Sequence, residues 1–168
     1  KGRSGARNYF NLPKNIIFRL LNDCKKIGVR SIAFIGEGEN TRNPYLYDSL
    51  VHAKKIGIDV GLGTNGLAID NNRIKDALES LVWLRFNISA ATPKSFFNIH
   101  RIGPQQFHQV VNNIRECVEI KKTFSLKTTI GLQMVLLQDN FEDVVPLAKL
   151  GKELGVDYLV VKPCSDTF

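Results

Sequence analysis

Cysteine is scarce in this chain of 168 residues, with three at Cys24, Cys117 and Cys164. They lie too far apart for a Cys-x2-Cys pair, so no zinc or dithiol redox motif exists within the chain. An odd, sparse count fits a reducing compartment, and the expected location is cytoplasmic. No signal peptide occurs, and no apolar run reaches the roughly 18 residues of a membrane span. No Gly-x-Gly-x-x-Gly opens a helix after a first strand, which argues against a dinucleotide-binding Rossmann domain. Also missing is any basic run interleaved with aromatics, or a nucleic-acid-binding motif. The net charge of +7 permits an anionic partner. The lysines, however, fall mostly near predicted helix ends, where cations are favoured in any case. An initiator Met is absent too, and the basic, Gly-containing stretch Lys1 to Asn8 reads as part of a longer protein.

One local pattern occurs three times. Lys25-Lys26-Ile27-Gly28-Val29, Lys54-Lys55-Ile56-Gly57-Ile58 and Lys152-Glu153-Leu154-Gly155-Val156 each precede an apolar strand. Each reads as a basic last helical turn, a left-handed Gly cap and then a strand. Repeated joints of this kind predict α/β units around a parallel sheet. The predicted strands are 31–35, 58–62, 83–88, 128–136 and 158–161. The predicted helices are 13–27, 45–56, 72–81, 104–121 and 141–154, with Pro146 starting or kinking the last one. Each unit is about 30 residues, the size of one unit of a (β/α) barrel. The chain therefore reads as a single domain over 1–168.

In a parallel α/β architecture the ligand lies at the C-terminal strand ends. There the sequence places Gly36-Glu37-Gly38-Glu39, Gly63-Thr64-Asn65-Gly66, Ser89 with a long loop to His100 and Arg101, Gln133 with Gln138 to Asn140, and Lys162-Pro163-Cys164-Ser165. Such a rim of glycines and polar groups suits a polar or zwitterionic ligand. Taken singly, each has a plainer reading. Gly-Glu-Gly-Glu also describes a tight turn with solvated acids, Asn65-Gly66 a hairpin turn, Ser89 a backbone-bonding residue and Arg101 a solvated cation. Trp83 and Phe86 read as core, and Phe96-Phe97 as loop anchors.

In their order, these motifs resemble the S-adenosylmethionine radical (radical SAM) enzymes. Gly36-Glu37-Gly38-Glu39-Asn40 resembles that family's Gly-Gly-Glu-Pro loop, and Thr64-Asn65-Gly66 its Thr-Asn-Gly. Phe86 to Thr92 resembles its Val-Ser-Leu-Asp-Ala-Gly-Thr strand end, with Ala90 at the Asp position, and Val156 to Pro163 its sixth strand. The resemblance spans nearly the whole chain. It implies an incomplete core, the second to sixth strands of a partial, TIM-like (β/α)6 barrel.

The resemblance also implies roles. Gly36, Glu37, Gly38 and Glu39 would hold the methionyl ammonium of S-adenosylmethionine, and Glu39 would add charge or order the loop. Ser89 would lie near the ribose or carboxylate, and Arg101 would bind the methionyl carboxylate. Gln133 and Val135 would run along the adenine, while Val161, Lys162 and Pro163 would close its pocket. Thr64 and Asn65 would sit at the rim, and His100, Lys162 and Ser165 would line the substrate space. The family's [4Fe–4S] cluster needs Cys-x3-Cys-x2-Cys, which this chain lacks. Its ligands would lie outside this chain, so the chain alone would be inactive and the parent enzyme active. An external electron donor and a small-molecule or peptide substrate would be the partners, with nucleic acid permitted only by charge. Two alternatives stay open. One is a (β/α)8 lyase or aldolase using Lys162, or a metal on Glu37 and Glu39; the other is a catalytically inactive binding module.

Overall fold

The computed structural model describes residues 11–36 and 38–164. Five strands form one sheet: β1 (Ser31–Phe34), β2 (Asp59–Thr64), β3 (Leu81–Asn87), β4 (Thr129–Leu136) and β5 (Tyr158–Pro163). The helices are α1 (Lys14–Lys26), α2 (Leu46–Lys55), α3 (Ile74–Ser80), α4 (Pro93–His100), α5 (Pro104–Thr123) and α6 (Val144–Leu154). Short 3-10 turns at Asn40–Arg42 and Phe141–Asp143 precede α2 and α6. Every strand pairs in parallel with the next in sequence, in the order β1-β2-β3-β4-β5. A doubly wound sheet reverses its order at a switch point. This one never does, so it is a sector of a (β/α) barrel.

The three repeated joints form as their sequences require. Gly28, Gly57 and Gly155 have φ of 89°, 77° and 77°. The residue after each donates its N–H back into the helix: Val29 to Cys24 at 2.9 Å, Ile58 to Ala53 at 2.9 Å and Val156 to Gly151 at 3.1 Å. A fourth joint has the same bonds without glycine. Ser125 takes φ 50° after α5, and Leu126 N–H donates to the Lys121 carbonyl at 2.9 Å.

The core lies between the sheet and its helices. Val60, Leu62, Leu84, Phe86, Ile130, Leu132 and Met134 point to the helix side and are buried. Side chains alternate along a strand, so Trp83, Arg85, Asn87 and Gln133 lie on the opposite, inner face. Trp83 is thus not core: a Cβ placed on Gly61 would lie 1.9 Å from its indole, which covers that glycine. Phe86, on the helix side, is core as expected.

Two segments differ from the sequence reading. Residues 93–100 form a helix rather than a loop. Thr92 caps it: Ser95 N–H donates to Thr92 Oγ1 and Thr92 N–H to Ser95 Oγ, both at 3.1 Å, with Pro93 at the first helical position. Phe96 is accordingly a buried helical residue, while Phe97 is exposed. The last helix begins at Val144, two residues before Pro146. That places the proline in the first turn, where a missing N–H breaks no intrahelical bond.

Candidate functional site

The C-terminal ends of β1 and β2 are tied together by Glu39. Its Oε1 accepts from Thr41 N–H at 3.1 Å, Thr41 Oγ1 at 2.7 Å and Thr64 Oγ1 at 2.6 Å. Its Oε2 accepts from Asn65 N–H at 2.7 Å. Asn40 adds a second tie, donating to the carbonyls of Phe34 at 3.1 Å and Gly63 at 3.2 Å. The Thr64-Asn65-Gly66 turn is then closed from within, because Gly66 N–H donates to Thr64 Oγ1 at 3.0 Å and Leu67 N–H to Asn65 Oδ1 at 2.9 Å. It is pinned from α5 by Asn113, which donates to the Gly66 carbonyl at 2.7 Å. Of the two roles open to Glu39, ordering the loop is the one its contacts express.

Glu37 lies outside the described residues. Gly36 and Gly38 on either side are exposed, and an added Cβ at either meets nothing within 4 Å. Gly38 takes φ 107°, a conformation that disfavours a side chain. The loop therefore presents open backbone at the rim.

The β3 and β4 ends form a second group. Ser89 is buried, and its Oγ accepts from Val135 N–H at 3.1 Å. Buried Asn140 donates to the carbonyls of Ser89 and Val135, both at 2.9 Å, and accepts from Leu137 N–H at 2.7 Å. His100 Nε2 accepts from Ser89 N–H at 3.4 Å. Burial holds the His100 imidazole below its usual pKa, which keeps that nitrogen an acceptor. The ring also packs on Phe96, with centroids 4.5 Å apart. Arg101 follows as the left-handed C-cap of α4, at φ 56° and ψ 30°. It is exposed, and its guanidinium has no hydrogen-bond partner among the described residues.

β5 completes the rim. Val135 pairs with Lys162 and Gln133 with Val160. Lys162 thus shares the inner face with Val135 and Gln133, while Val161 and Pro163 lie on the other face. All three of 161–163 are exposed. Ser165 lies outside the described residues.

The sequence-derived positions therefore fall into two bonded groups, Glu39 with Thr64 and Asn65, and Ser89 with Val135. Arg101 and the β5 residues join neither by a hydrogen bond among the described residues. Sequence reasoning passed over Thr41, Asn140 as a bridge between strand ends, and Arg85; alternation along β3 was the available signal for Arg85. Among the described residues no three His, Cys, Asp or Glu side chains converge on a metal position. Cys24 lies on α1, and Cys117 is buried on α5, its thiol pKa pushed up to about 12 by burial. Cys164 is exposed beyond β5. These cysteines do not make an iron–sulfur site.

No protein-family model matches the chain. A curated protein of Pyrococcus furiosus, the tungsten-containing aldehyde ferredoxin oxidoreductase cofactor-modifying protein, is 26% identical over 153 residues. That match covers 90% of this chain and 43% of the relative, so the chain spans under half of that protein's length. Among solved structures, Streptococcus suis SuiB bound to S-adenosylmethionine superposes with a TM-score of 0.75 and 18% identity, over 94% of this chain and 35% of SuiB. Native anSMEcpe with bound AdoMet and the Kp18Cys peptide superposes with a TM-score of 0.62 and 22% identity, over 91% of this chain and 42% of that one. The resemblance to S-adenosylmethionine radical enzymes and the partial-barrel architecture are thus borne out, at the level of the fold.

Proposed function

We propose that this chain is most of the core of a radical SAM enzyme and that S-adenosylmethionine binds across the C-terminal strand ends. The observation that carries this is the rim itself. It has open backbone at Gly36 and Gly38, held in place by Glu39 at the β1 end, and, after the β3 end, an exposed guanidinium at Arg101 without a partner among the described residues. Carbonyls of the glycine loop suit an ammonium, and a forked guanidinium suits a carboxylate. These are the two charged groups of a methionyl moiety. Ser89 Oγ accepts from Val135 N–H and donates to no group among the described residues, so its hydroxyl proton is available to a ligand. Backbone of Val135 and of 161–163 would flank the adenine, and Thr64 and Asn65, spent on Glu39, would shape the rim.

When S-adenosylmethionine and a reduced [4Fe–4S] cluster are both bound, they supply a 5′-deoxyadenosyl radical for hydrogen abstraction from a small-molecule or peptide substrate. The described residues do not hold that cluster, so this reading requires its cysteines elsewhere in the parent protein. What this chain contributes is binding, orientation and shielding. SuiB and anSMEcpe, which have this fold, are seen with S-adenosylmethionine or AdoMet bound, and anSMEcpe also with a peptide. The aldolase alternative loses support because Lys162 is exposed near the end of an edge strand, and Schiff-base lysines are activated by desolvation.

Calorimetry with S-adenosylmethionine tests the site. Weak but saturable binding is expected, and Arg101→Ala should weaken it about tenfold, the loss of one charge-assisted contact. Equal binding by both proteins would remove Arg101 from the site. No saturable binding by the unsubstituted chain would sink the reading.

A further inference from the structure

The inner face of the sheet carries a cation for which the proposed cofactor site has no use. Arg85 stands midway along β3, flanked in register by Gly63 on β2 and Gly131 on β4. It is thus bordered on both sides by residues without side chains. The two glycines differ. A Cβ on Gly131 would lie 2.2 Å from the Tyr158 ring, so Tyr158 covers that side. A Cβ on Gly63, which is buried, would meet Ile35 Cγ1 at 3.4 Å, an ordinary van der Waals contact, so that side has room for a methyl group and little more. Below, Trp83 covers Gly61 and supports the guanidinium, whose carbon lies 5.1 Å from the ring centroid. That cation–π contact holds the side chain in place.

Arg85 forms no ion pair among the described residues, and its Nε is out of solvent with no hydrogen-bond partner there. One row above, Gln133 donates to Asn87 Oδ1 at 3.1 Å, but its own Oε1 is also out of solvent and without a partner. Polar atoms removed from water are nearly always paired, and an unpaired one is costly. An unmatched charged donor and an unmatched neutral acceptor thus stand side by side on one floor. Arg85 also lies four residues before Ser89, about 13 Å along an extended strand. A ligand end held at Arg85 would leave its other end near the rim.

We infer that Arg85 anchors a carboxylate-bearing substrate on the inner face of the sheet, with Gln133 accepting from an N–H of the same molecule. Planar guanidinium pairs with planar carboxylate through two parallel N–H···O bonds, which a preoriented side chain forms at the least entropic cost. The inference rests on the rim being the S-adenosylmethionine site, because only then does the anchored molecule extend toward a reacting atom.

The test is a 1H–15N NMR titration of the chain with succinate, against sodium chloride at equal ionic strength. The backbone amides of Gly63 and Gly131, together with the Arg85 Nε–H, should shift saturably with succinate and not with chloride. Arg85→Gln should abolish the glycine shifts. Gly63→Ala, whose added methyl fits the fold against Ile35 but narrows the space beside Arg85, should weaken binding at least fivefold with an unchanged urea midpoint. Equal shifts with chloride, or glycine shifts that persist in Arg85→Gln, would overturn the inference. Addition of S-adenosylmethionine should leave the succinate shifts in place; displacement of succinate would put Arg85 in the cofactor's own carboxylate site and also overturn it. If S-adenosylmethionine fails to bind while the succinate shifts remain, the rim reading falls and the carboxylate site stands. The tripeptide Gly-Glu-Gly, run in parallel, separates the two sources: tighter binding than succinate assigns peptides, weaker binding assigns small acids.

Discussion

Glu39 shows how one side chain positions two loops. Four donors converge on its carboxylate, two from the 3-10 turn after β1 and two from the end of β2. Removing it strands them together. Glu39→Ala should lower stability by about 2–3 kcal/mol, the cost of several partly buried donors left unmet. Glu39→Gln should fall between, because its amide group cannot accept from Asn65 N–H on the side where it donates. Urea denaturation checks the order; an alanine variant with the parental midpoint would show that these bonds do not hold the loops. In the sequence, Glu39 was recognisable as part of a ligand loop, but which of its two roles it played was not. Thr41 and Thr64, its partners, are 23 residues apart from each other by number, and only the β1–β2 register brings them together.

The elements were the most legible level, because their punctuation is local. Lysines followed by Gly28, Gly57 and Gly155 marked three helix-to-strand joints, and all three form. The fourth went unmarked because Ser125 stands where glycine stands in the others. Ser125 is therefore strained, and Ser125→Gly should raise stability by about 0.5–1 kcal/mol, the left-handed penalty less the added chain entropy of glycine. A thermal melt reads this as a higher midpoint, and a lower one would show that the serine is favoured there. Helix α4 was missed for a different reason. It has two turns, and adjacent Phe96 and Phe97 put one aromatic inside and one outside, so no apolar stripe develops. Its Thr92-Pro93 start was the available signal. The inner and outer faces of β3 were equally hard to read, because Trp83 is apolar on a face that is not core.

At the scale of the whole molecule, charge and burial combine into a dependence on pH. Burial lowers the His100 pKa from 6.5, so on acidification the unfolded chain takes up this proton before the folded one does. Stability is then undiminished above about 6.5 and falls as pH drops from there toward the folded-state value. Asp48 is held below the usual carboxylate range by Lys14 and Arg73. At Asp157 burial acts upward, but Lys121 and the Ile130 N–H outweigh it, and the net shift is also downward. Both carboxylates stabilise the fold above about 3.8 and lose that contribution as pH falls below it. Urea midpoints measured from about pH 8 to pH 3 should therefore decline in two stages, and His100→Gln should flatten the upper one. A profile identical in wild type and variant between about pH 7 and 5 would mean that His100 does not titrate with folding.

The sheet's sequential order leaves its inner face without a covering layer from the described helices, and the chain's single tryptophan, Trp83, lies on that face over Gly61 beneath the Arg85 guanidinium. In most domains tryptophan emission reports the packed interior. Here the fluorophore stands on the surface where substrate is proposed to lie, in contact with the group proposed to bind it. Under that proposal the intrinsic fluorescence of this protein should respond to occupancy of the inner face as well as to folding, because the indole packs over Gly61 and under Arg85, and the molecule carries its own optical label.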